Sequence, residues 1–471
     1  MGLADIADNL ARSVEDAAAR ASGALFEPVI RLGVTGLSRA GKTVFITSLV
    51  ANLLDRGRMP QLLAASSGAI KAAYLQPQPD DAVPRFDYEN HLAALTGPEP
   101  HWPHSTRHVS QLRLSLTVQP AGLLSGLSGP RRVHLDIVDY PGEWLLDLGL
   151  MDQDYATWSA TVLSRIVSRA QAADYLALIP DRAEATQFDE LDLQKLATGF
   201  TRYLNAARDA GFSDCAPGRF LLPGELEGSP ALTFAPLLKP DRPPRKGLWR
   251  EMERRYEAYK SRVVAPFFRD HFAKIDRQIV LVDALGAIHS GPAAVEDLRA
   301  AMADVLKAFR PGRNSWLSFL LGKRVDRILF AATKADHLHH SQHPKLTAIM
   351  QALLREARDR ANFAGAETAA MSISSLRTTV EETLDHKGAA LDCVRGILED
   401  TGKTAAFYPG ELPDDPAQLL TPARQGATSW LDADYKVMKF RPARLDLRPG
   451  DGPPHIRLDK AAEFLLGDRL R

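Results

Sequence analysis

Apolar residues recur along the chain with two different spacings, which predict strands and helices in alternation. Residues 29–35 form a short apolar run typical of a buried strand, and residues 44–54 carry apolar side chains at helical spacing. In residues 112–118 and 133–137, apolar and polar positions alternate, which predicts an antiparallel pair of strands. The first third of the chain therefore predicts a strand, a helix and a hairpin.

Later segments predict the remaining strands and one large insertion. The further strands are expected at residues 175–180, 279–284, 327–332 and 366–373. Residues 183–277 are mostly helical in pattern and are interrupted by a Pro-rich break at 213–245. The fold class predicted is α/β, with a mostly parallel sheet flanked by helices, a helical insertion and a C-terminal α+β extension.

These patterns divide the chain into five segments. They are an N-terminal amphipathic helix (1–28), the first part of the α/β domain (29–182), the helical insertion (183–277), the second part of the α/β domain (278–380) and the C-terminal extension (381–471). The N-terminal helix is expected to pack on the domain. The alternative is peripheral contact with a membrane surface. Such contact would be weak, because the polar face of the helix mixes acidic and basic residues.

Composition narrows the partners and the compartment. Lys plus Arg equal Asp plus Glu at 58 each, so no bulk basic field favours a nucleic-acid partner, and none is expected. The 2 cysteines, Cys215 and Cys393, have no metal-ligand spacing, which favours a reducing compartment. No apolar run reaches the roughly 18 residues of a membrane span, so we expect a cytoplasmic location, with the inner membrane as a possible peripheral contact.

Residues 36–43 read GLSRAGKT, the GxxxxGK[ST] pattern, and lie between the first strand and the first helix. Such a loop wraps phosphate with backbone N–H groups, and the helix N-terminus adds its positive dipole end. Lys42 can reach the β- and γ-phosphates, and the Thr43 hydroxyl can bind Mg²⁺. The alternative is a glycine-rich turn that only joins strand to helix. The residues predicted to bind nucleotide here are Gly36, Ser38, Arg39, Ala40, Gly41, Lys42, Thr43 and Val44.

A second motif, DxxG, spans Asp139 to Gly142 at the end of the second hairpin strand. An acidic residue at this position can hold a Mg²⁺-bound water, and the Gly142 N–H can sense a γ-phosphate. The alternative is an ordinary turn after a strand, formed by Pro141 and Gly142.

The third motif is Thr333-Lys334-Ala335-Asp336, which matches [NT]KxD at the end of a predicted strand. The Asp336 carboxylate can accept two hydrogen bonds from guanine, whereas adenine lacks those donors. Ser374 and Ser375, after the next strand, could offer backbone N–H groups to guanine O6. Since the three motifs occur in order, each at a strand end, a guanine-nucleotide site with GTP or GDP and Mg²⁺ is predicted.

Several longer stretches add a family resemblance. The segments WPHSTR (102–107), DYPGEW (139–144), AATKADH (331–337) and FYPGELP (407–413) resemble the YcjX-like family of bacterial P-loop GTPases, loosely described as stress proteins. The resemblance implies a Ras-like GTPase core with added helical and C-terminal parts. Two positions depart from common Ras-like GTPases: Thr333 replaces the usual Asn, and Glu143 stands where a water-orienting Gln is usual.

The leading hypothesis is a GTP-binding switch that hydrolyses GTP slowly and acts on an unknown protein effector or activator. Gly142, Glu143 and Arg107 are its candidate catalytic residues, with Arg107 as an internal arginine finger, and Thr43, Thr106 and Asp139 are its candidate Mg²⁺ residues. The alternative roles are a surface salt bridge for Arg107 and a helix cap for Glu143. Alternative functions are a P-loop ATPase or phosphotransferase, or a nucleotide-bound scaffold at the membrane surface.

Four histidines follow the third motif, at positions 337, 339, 340 and 343. We expect them to be solvated loop residues rather than metal ligands, because no cysteine lies near them in the sequence.

Overall fold

A seven-stranded sheet forms the centre of the computed structural model, which describes residues 27–36, 40–103, 108–120, 129–179, 187–308, 325–355, 366–430 and 435–471. Its strands are β1 (Val29–Gly36), β2 (Ile70–Gln76), β3 (Ser110–Val118), β4 (Arg131–Asp139), β5 (Arg277–Val282), β6 (Arg327–Ala332) and β7 (Glu367–Ser372). Their order is β2-β3-β4-β1-β5-β6-β7. Neighbours from β4 to β7 run parallel, and β3 is antiparallel to both β2 and β4. The predicted mostly parallel sheet is confirmed.

Helices cover both faces of this sheet and fill the insertion. The described helices are α1 (Lys42–Leu54), α2 (Leu63–Ser66), α3 (Tyr88–Thr96), α4 (Glu143–Leu146), α5 (Tyr155–Ile166), α6 (Ala173–Ala177), α7 (Glu190–Asp209), α8 (Gly218–Leu221), α9 (Leu248–Tyr259), α10 (Ala265–Asp270), α11 (Ala284–Ser290), α12 (Pro292–Ala308), α13 (His343–Leu353), α14 (Ala417–Arg424) and α15 (Leu458–Leu466). A short π-helical segment, Lys260–Val264, joins α9 to α10.

The sheet separates two hydrophobic cores. In β5, Ile279 and Leu281 belong to the core shared with α1 and α15, whereas Val280 and Val282 belong to the core shared with the insertion. Successive side chains of a strand point to opposite faces, so a stretch of strand that contacts an apolar core on both faces carries apolar side chains at successive positions. This explains why β5 and β6 appear in the sequence as continuous apolar runs.

A smaller antiparallel sheet follows the large one. Its strands are β8 (Val380–His386), β9 (Ala389–Leu398), β10 (Thr404–Phe407) and β11 (Phe440–Arg441), and β9 pairs with each of the other three. Together with α14 and α15 this sheet confirms an α+β extension.

The last helix returns to the large sheet. The Arg327 guanidinium donates to the carbonyl of Phe464 at 2.6 Å, and that of Arg277 donates to the carbonyl of Leu465 at 3.1 Å. The end of the chain is therefore part of the α/β core, although the five segment boundaries stay predictions.

One predicted strand is wrong. Residues 175–180 were expected to form a buried parallel strand, but Ala173–Ala177 form helix α6. A short apolar run does not distinguish a strand from a buried helical turn. Here the buried Tyr175 ring packs 5.2 Å from Phe200 in α7, and its hydroxyl donates to the carbonyl of Pro236, so the insertion and not the sheet holds this segment.

The N-terminal amphipathic helix and its proposed membrane contact fall on residues that lie outside the described part of the chain. Within the described ranges, no helix combines the length and apolar character that crossing a bilayer requires.

Candidate nucleotide-binding site

The phosphate loop connects β1 to α1. Gly41 adopts the left-handed conformation (φ 82°, ψ 31°) immediately before Lys42, a conformation that glycine takes without steric cost. Helix α1 has no acidic residue in its first turn, so its positive N-terminal end is not neutralised from within the helix. The Lys42 ammonium donates to the carbonyl of Gly36 at 3.3 Å, which holds the charge at the loop. The predicted residues Ser38 and Arg39 lie outside the described residues.

The DxxG motif lies directly beside this loop. Asp139 ends β4, pairs in parallel register with Val34 of β1, and is 1% exposed. Gly142 contacts the loop itself, because a Cβ placed on it would lie 2.1 Å from the Gly36 carbonyl oxygen. The two motifs that should hold the triphosphate and sense its γ-phosphate are therefore in backbone contact.

Glu143 is the first residue of α4 and is 6% exposed. Its Oε2 atom has no hydrogen-bond partner within the described residues. The predicted Thr106 and Arg107 lie outside the described residues, so a pairing of Arg107 with Glu143 stays a prediction.

The helical insertion holds the residue that follows Glu143. The Arg219 guanidinium lies 3.2 Å from the centroid of the Trp144 ring, and Phe267 packs edge-on against the same ring at 5.4 Å. Gly218 comes so close to the Glu143 carbonyl that a Cβ there would lie 2.1 Å from the oxygen. The segment after DxxG is thus fixed between the sheet and the insertion.

The TKAD motif lies at the end of β6. Lys334 has φ 60°, unusual for a residue other than glycine, and its ammonium forms an ion pair with Asp283 at the end of β5. The Asp336 carboxylate is 4% exposed, and its Oδ2 accepts hydrogen bonds from the Thr378 N–H at 2.9 Å and the Thr378 hydroxyl at 2.8 Å. These bonds orient the carboxylate before any ligand arrives. The Thr333 hydroxyl donates to the carbonyl of Val282 at 3.3 Å.

The phosphate loop and the TKAD motif open into one pocket of about 510 Å³, a volume within the size range of small-molecule sites. The predicted residues that line it are Ala40, Gly41, Lys42, Thr43, Val44, Thr333, Lys334, Asp336, Ser374 and Ser375. The described lining also contains residues outside the predicted set: Trp102, Pro103, His337, Leu376, Thr378, Glu399, Lys439 and Phe440. It does not include Gly142, Glu143 or Asp139.

Ser374 and Ser375 have different surroundings. The Ser374 N–H donates to the carbonyl of Ile456 at 3.0 Å, and its hydroxyl donates to the carbonyl of Leu376 at 2.8 Å. Because the Ser374 N–H already has this partner, Ser375 is the one of the two residues whose backbone we expect to face a base.

Residues 30–470 match the YcjX-like family, DUF463, which is almost the whole chain. This chain belongs to the YcjX-like family. It is similar to the Ras-like GTPase YcjX of Escherichia coli (strain K12), with 37% identity over 462 residues that cover 94% of this chain and 96% of the relative. It is also similar to the Ras-like GTPase YcjX of Shewanella oneidensis (strain MR-1), with 34% identity over 467 residues that cover 94% of each chain. The resemblance drawn from the motifs is confirmed.

Several site residues of this YcjX-like chain were not predicted from its sequence. Asp283 directly follows a buried parallel strand, a position at which ligand-binding residues are expected. Its place in the sequence could therefore have predicted a role at the site. Thr378 follows Ser375 by three positions, and nothing local marks it as a partner of Asp336. The same is true of Glu399 and Lys439, which come from the C-terminal extension.

The four histidines of this YcjX-like chain have separate environments. His337 and His343 are buried, and burial lowers the pKa of each, so the expectation that they are solvated is wrong. The His343 Nε2–H donates to the carbonyl of Ala335 at 2.8 Å, which stabilises the turn that contains Asp336. His339 and His340 instead face Glu381, with ligand-type atoms within 4.8 Å of one another.

Proposed function

We propose that the chain binds GTP and GDP together with Mg²⁺ and hydrolyses GTP slowly as a conformational switch. The observation that carries this proposal is that the phosphate loop at Gly41–Thr43 and the Asp336 carboxylate line the same pocket. A site for phosphate alone would not need an oriented, buried carboxylate at its far end. Both relatives are named Ras-like GTPases, which supports the same function.

Each end of the pocket recognises a different part of the nucleotide. Lys42 and the loop N–H groups bind the β- and γ-phosphates through charge-assisted hydrogen bonds. At the other end Asp336 accepts hydrogen bonds from guanine N1–H and its N2 amino group. Adenine offers no such donors, so it would leave a buried carboxylate without partners. Asp283 forms an ion pair with the Lys334 ammonium, and the stem of Lys334 would then pack against the base.

The oxygen ligands at the phosphate end fit Mg²⁺, a hard cation that prefers carboxylate and hydroxyl oxygens. Thr43 would contribute its hydroxyl, Asp139 its buried carboxylate, and Thr106 a second hydroxyl. The ion would neutralise charge on the β- and γ-phosphates. Asp139 fits this role because it ends β4 beside the phosphate-loop strand.

The switch would act through Gly142, whose N–H can bind a γ-phosphate while its backbone touches Gly36. Any shift of Gly142 would move Trp144, which Arg219 and Phe267 tie to the insertion. The insertion is therefore our candidate surface for an effector or activator. Glu143 stands where Ras-like GTPases usually carry a water-orienting glutamine, and we infer slow hydrolysis from this replacement.

We infer a cytoplasmic setting from the cysteine usage and a role in a stress response from the family resemblance. A weak contact between the N-terminal helix and the inner membrane is compatible with the sequence pattern of that helix.

The test measures the affinities of GDP, GTP and ATP with Mg²⁺, together with turnover, for the unmodified protein and for Lys42→Ala. Loss of the lysine removes a charge-assisted contact of ~1.5–3 kcal/mol, so GTP affinity should fall roughly 10- to 150-fold. Lys71→Ala removes an exposed lysine on β2 and should change nothing. Equal affinity for ATP and GTP would favour an ATPase or phosphotransferase, and tight binding without turnover would favour a scaffold.

A further inference from the structure

One wall of the nucleotide pocket comes from the C-terminal extension. Glu399 lies just after β9, Lys439 lies just before β11, and Phe440 is the first residue of β11. They follow Thr43, the last residue of the phosphate loop, by 356 positions or more, and they line the pocket together with Trp102. No nucleotide motif of the sequence includes these positions, so their presence in the lining requires a physical explanation.

This wall is a packed structure. Phe440 is 2% exposed, and its ring fits against Gly396, where a Cβ would lie 2.5 Å from the ring. The Trp102 indole N–H donates to the carbonyl of Phe440 at 2.9 Å, and the His337 ring packs edge-on against Phe440 at 5.2 Å. His337 directly follows Asp336, so the wall is fixed to the base-binding end of the pocket.

Glu399 and Lys439 present opposite charges side by side on this wall. The pairing of Phe440 with Leu398 continues to these two residues, since the Glu399 N–H donates to the carbonyl of Lys439 at 2.9 Å. Residues directly opposite each other on antiparallel strands have their Cβ atoms roughly 4.5–5.5 Å apart and on the same face. Both residues are exposed and line the pocket.

The chemistry of this pair suits one part of a nucleotide. The phosphates are assigned to Gly41–Thr43 and the base to Asp336, which leaves the ribose between them. Its two hydroxyls both donate and accept hydrogen bonds, so a carboxylate can accept from one and an ammonium group can donate to the other. A wall built for phosphate would carry positive charge only.

We propose that Glu399 and Lys439 bind the ribose hydroxyls of the bound nucleotide, so that the C-terminal sheet is part of the nucleotide site. This inference rests on the proposed function, because it takes the guanine nucleotide as the ligand. It adds a contact from the extension and selects ribonucleotides over nucleotides that lack the two hydroxyls.

The test compares the binding of GDP and 2′,3′-dideoxy-GDP by titration calorimetry. The unmodified protein should bind the dideoxy nucleotide about tenfold or more weakly, as expected when hydrogen bonds to charged groups are lost. Glu399→Ala and Lys439→Ala should each weaken GDP binding and reduce that ratio. The matched controls are Asp400→Ala and Arg441→Ala, which remove the same charges from exposed neighbours outside the pocket lining and should leave the ratio unchanged.

The outcomes separate the two proposals. If the unmodified protein binds GDP but binds the dideoxy nucleotide equally well, the ribose contact is wrong and the proposed function stands. The same holds if Glu399→Ala and Lys439→Ala keep the full ratio of the unmodified protein. If the unmodified protein binds no GDP, the proposed function itself is overturned, and this inference with it. Thermal unfolding of each variant establishes that it is folded.

Discussion

Gly142 of the DxxG motif touches the backbone of Gly36 in the phosphate loop, with room for a hydrogen but not for a Cβ, which would lie 2.1 Å from the Gly36 carbonyl oxygen. The atom in the way belongs to the backbone, and it cannot turn aside as a side chain could. The two motifs are adjacent because parallel register places the end of β4 beside β1. A displacement of Gly142 toward Gly36 would therefore press directly on the phosphate loop.

Gly142→Ala tests this contact. The added methyl should push the two motifs apart, and we expect at least about a tenfold loss of GTP affinity, equivalent to ~1.4 kcal/mol, along with a lower melting temperature. Gly129→Ala is the matched control, because no atom of the described residues lies within 4 Å of a Cβ at that position. GTP affinity and melting temperature equal to those of the unmodified protein would show that the contact is not required.

Thr378→Val tests the orientation of the Asp336 carboxylate. Valine keeps the shape of threonine but removes the hydroxyl that donates to Asp336 at 2.8 Å, and hydrogen bonds to charged groups are worth ~1.5–3 kcal/mol. We expect roughly tenfold weaker GDP binding and a smaller preference for GDP over IDP, which lacks the N2 amino group. Thr383→Val makes the same change at an exposed position on β8. If Thr378→Val has the same affinities for GDP and for IDP as Thr383→Val, the Thr378 hydroxyl does not orient the base site.

Asp147 gives the stability of the protein a specific dependence on pH. Its carboxylate accepts hydrogen bonds from the Gly218 N–H and the Tyr259 hydroxyl and also faces Arg219, yet burial raises its pKa from 3.8 to about 7. Between these values the folded protein holds a proton that the unfolded chain has lost. Protonated Asp147 therefore favours the folded state. This contribution to the free energy of unfolding is complete below pH 3.8 and is lost as the pH rises through 7.

The free energy of unfolding should accordingly fall between about pH 4 and pH 7, with this group contributing at most about 1.4 kcal/mol per pH unit. Asp147→Asn should flatten this part of the profile, whereas the exposed Asp152→Asn should keep it. Urea unfolding at several pH values provides the measurement. A profile for Asp147→Asn with the slope of the unmodified protein would show that Asp147 does not cause the dependence.

Glu143 and Arg107 are tested by single-turnover GTP hydrolysis. If Glu143 orients the attacking water, Glu143→Ala should slow the reaction by roughly 10²-fold or more, and an internal arginine finger would make Arg107→Ala slower by about 10³-fold or more. Glu227→Ala, on the exposed surface of the insertion, is the control. Rates within about twofold of the unmodified protein for both variants would eliminate the internal finger and favour an external activator.

The sequence predicted the parts of the site whose residues lie close together along the chain. The phosphate loop, DxxG and TKAD each combine a strand with the loop that follows it, so both the element and its chemistry can be recognised within about ten residues. Residues 279–282 of β5 and 328–332 of β6 are all apolar because both faces of these strands are buried, which gives them an equally clear pattern.

The other parts depend on contacts between distant segments. Thr378 orients Asp336 across 42 positions, and Trp102 bonds to the carbonyl of Phe440 across 338 positions. No periodicity encodes such pairs. Tyr175 lies in an apolar run that fits a strand or a helix, and only its packing against the insertion decides between them.

The measurement that tests the central claim most directly is the nucleotide preference of Asp336→Asn. In the variant, the two Thr378 donors should select the amide oxygen and leave the NH₂ group to face the base, where it can donate to O2 of xanthine but repels the guanine amino group. We expect the unmodified protein to prefer GDP over both XDP and ADP, and the variant to bind XDP more tightly than GDP, with at least a tenfold loss of GDP affinity. An unmodified protein that binds ADP as tightly as GDP, or a variant whose GDP affinity is unchanged, would contradict the account.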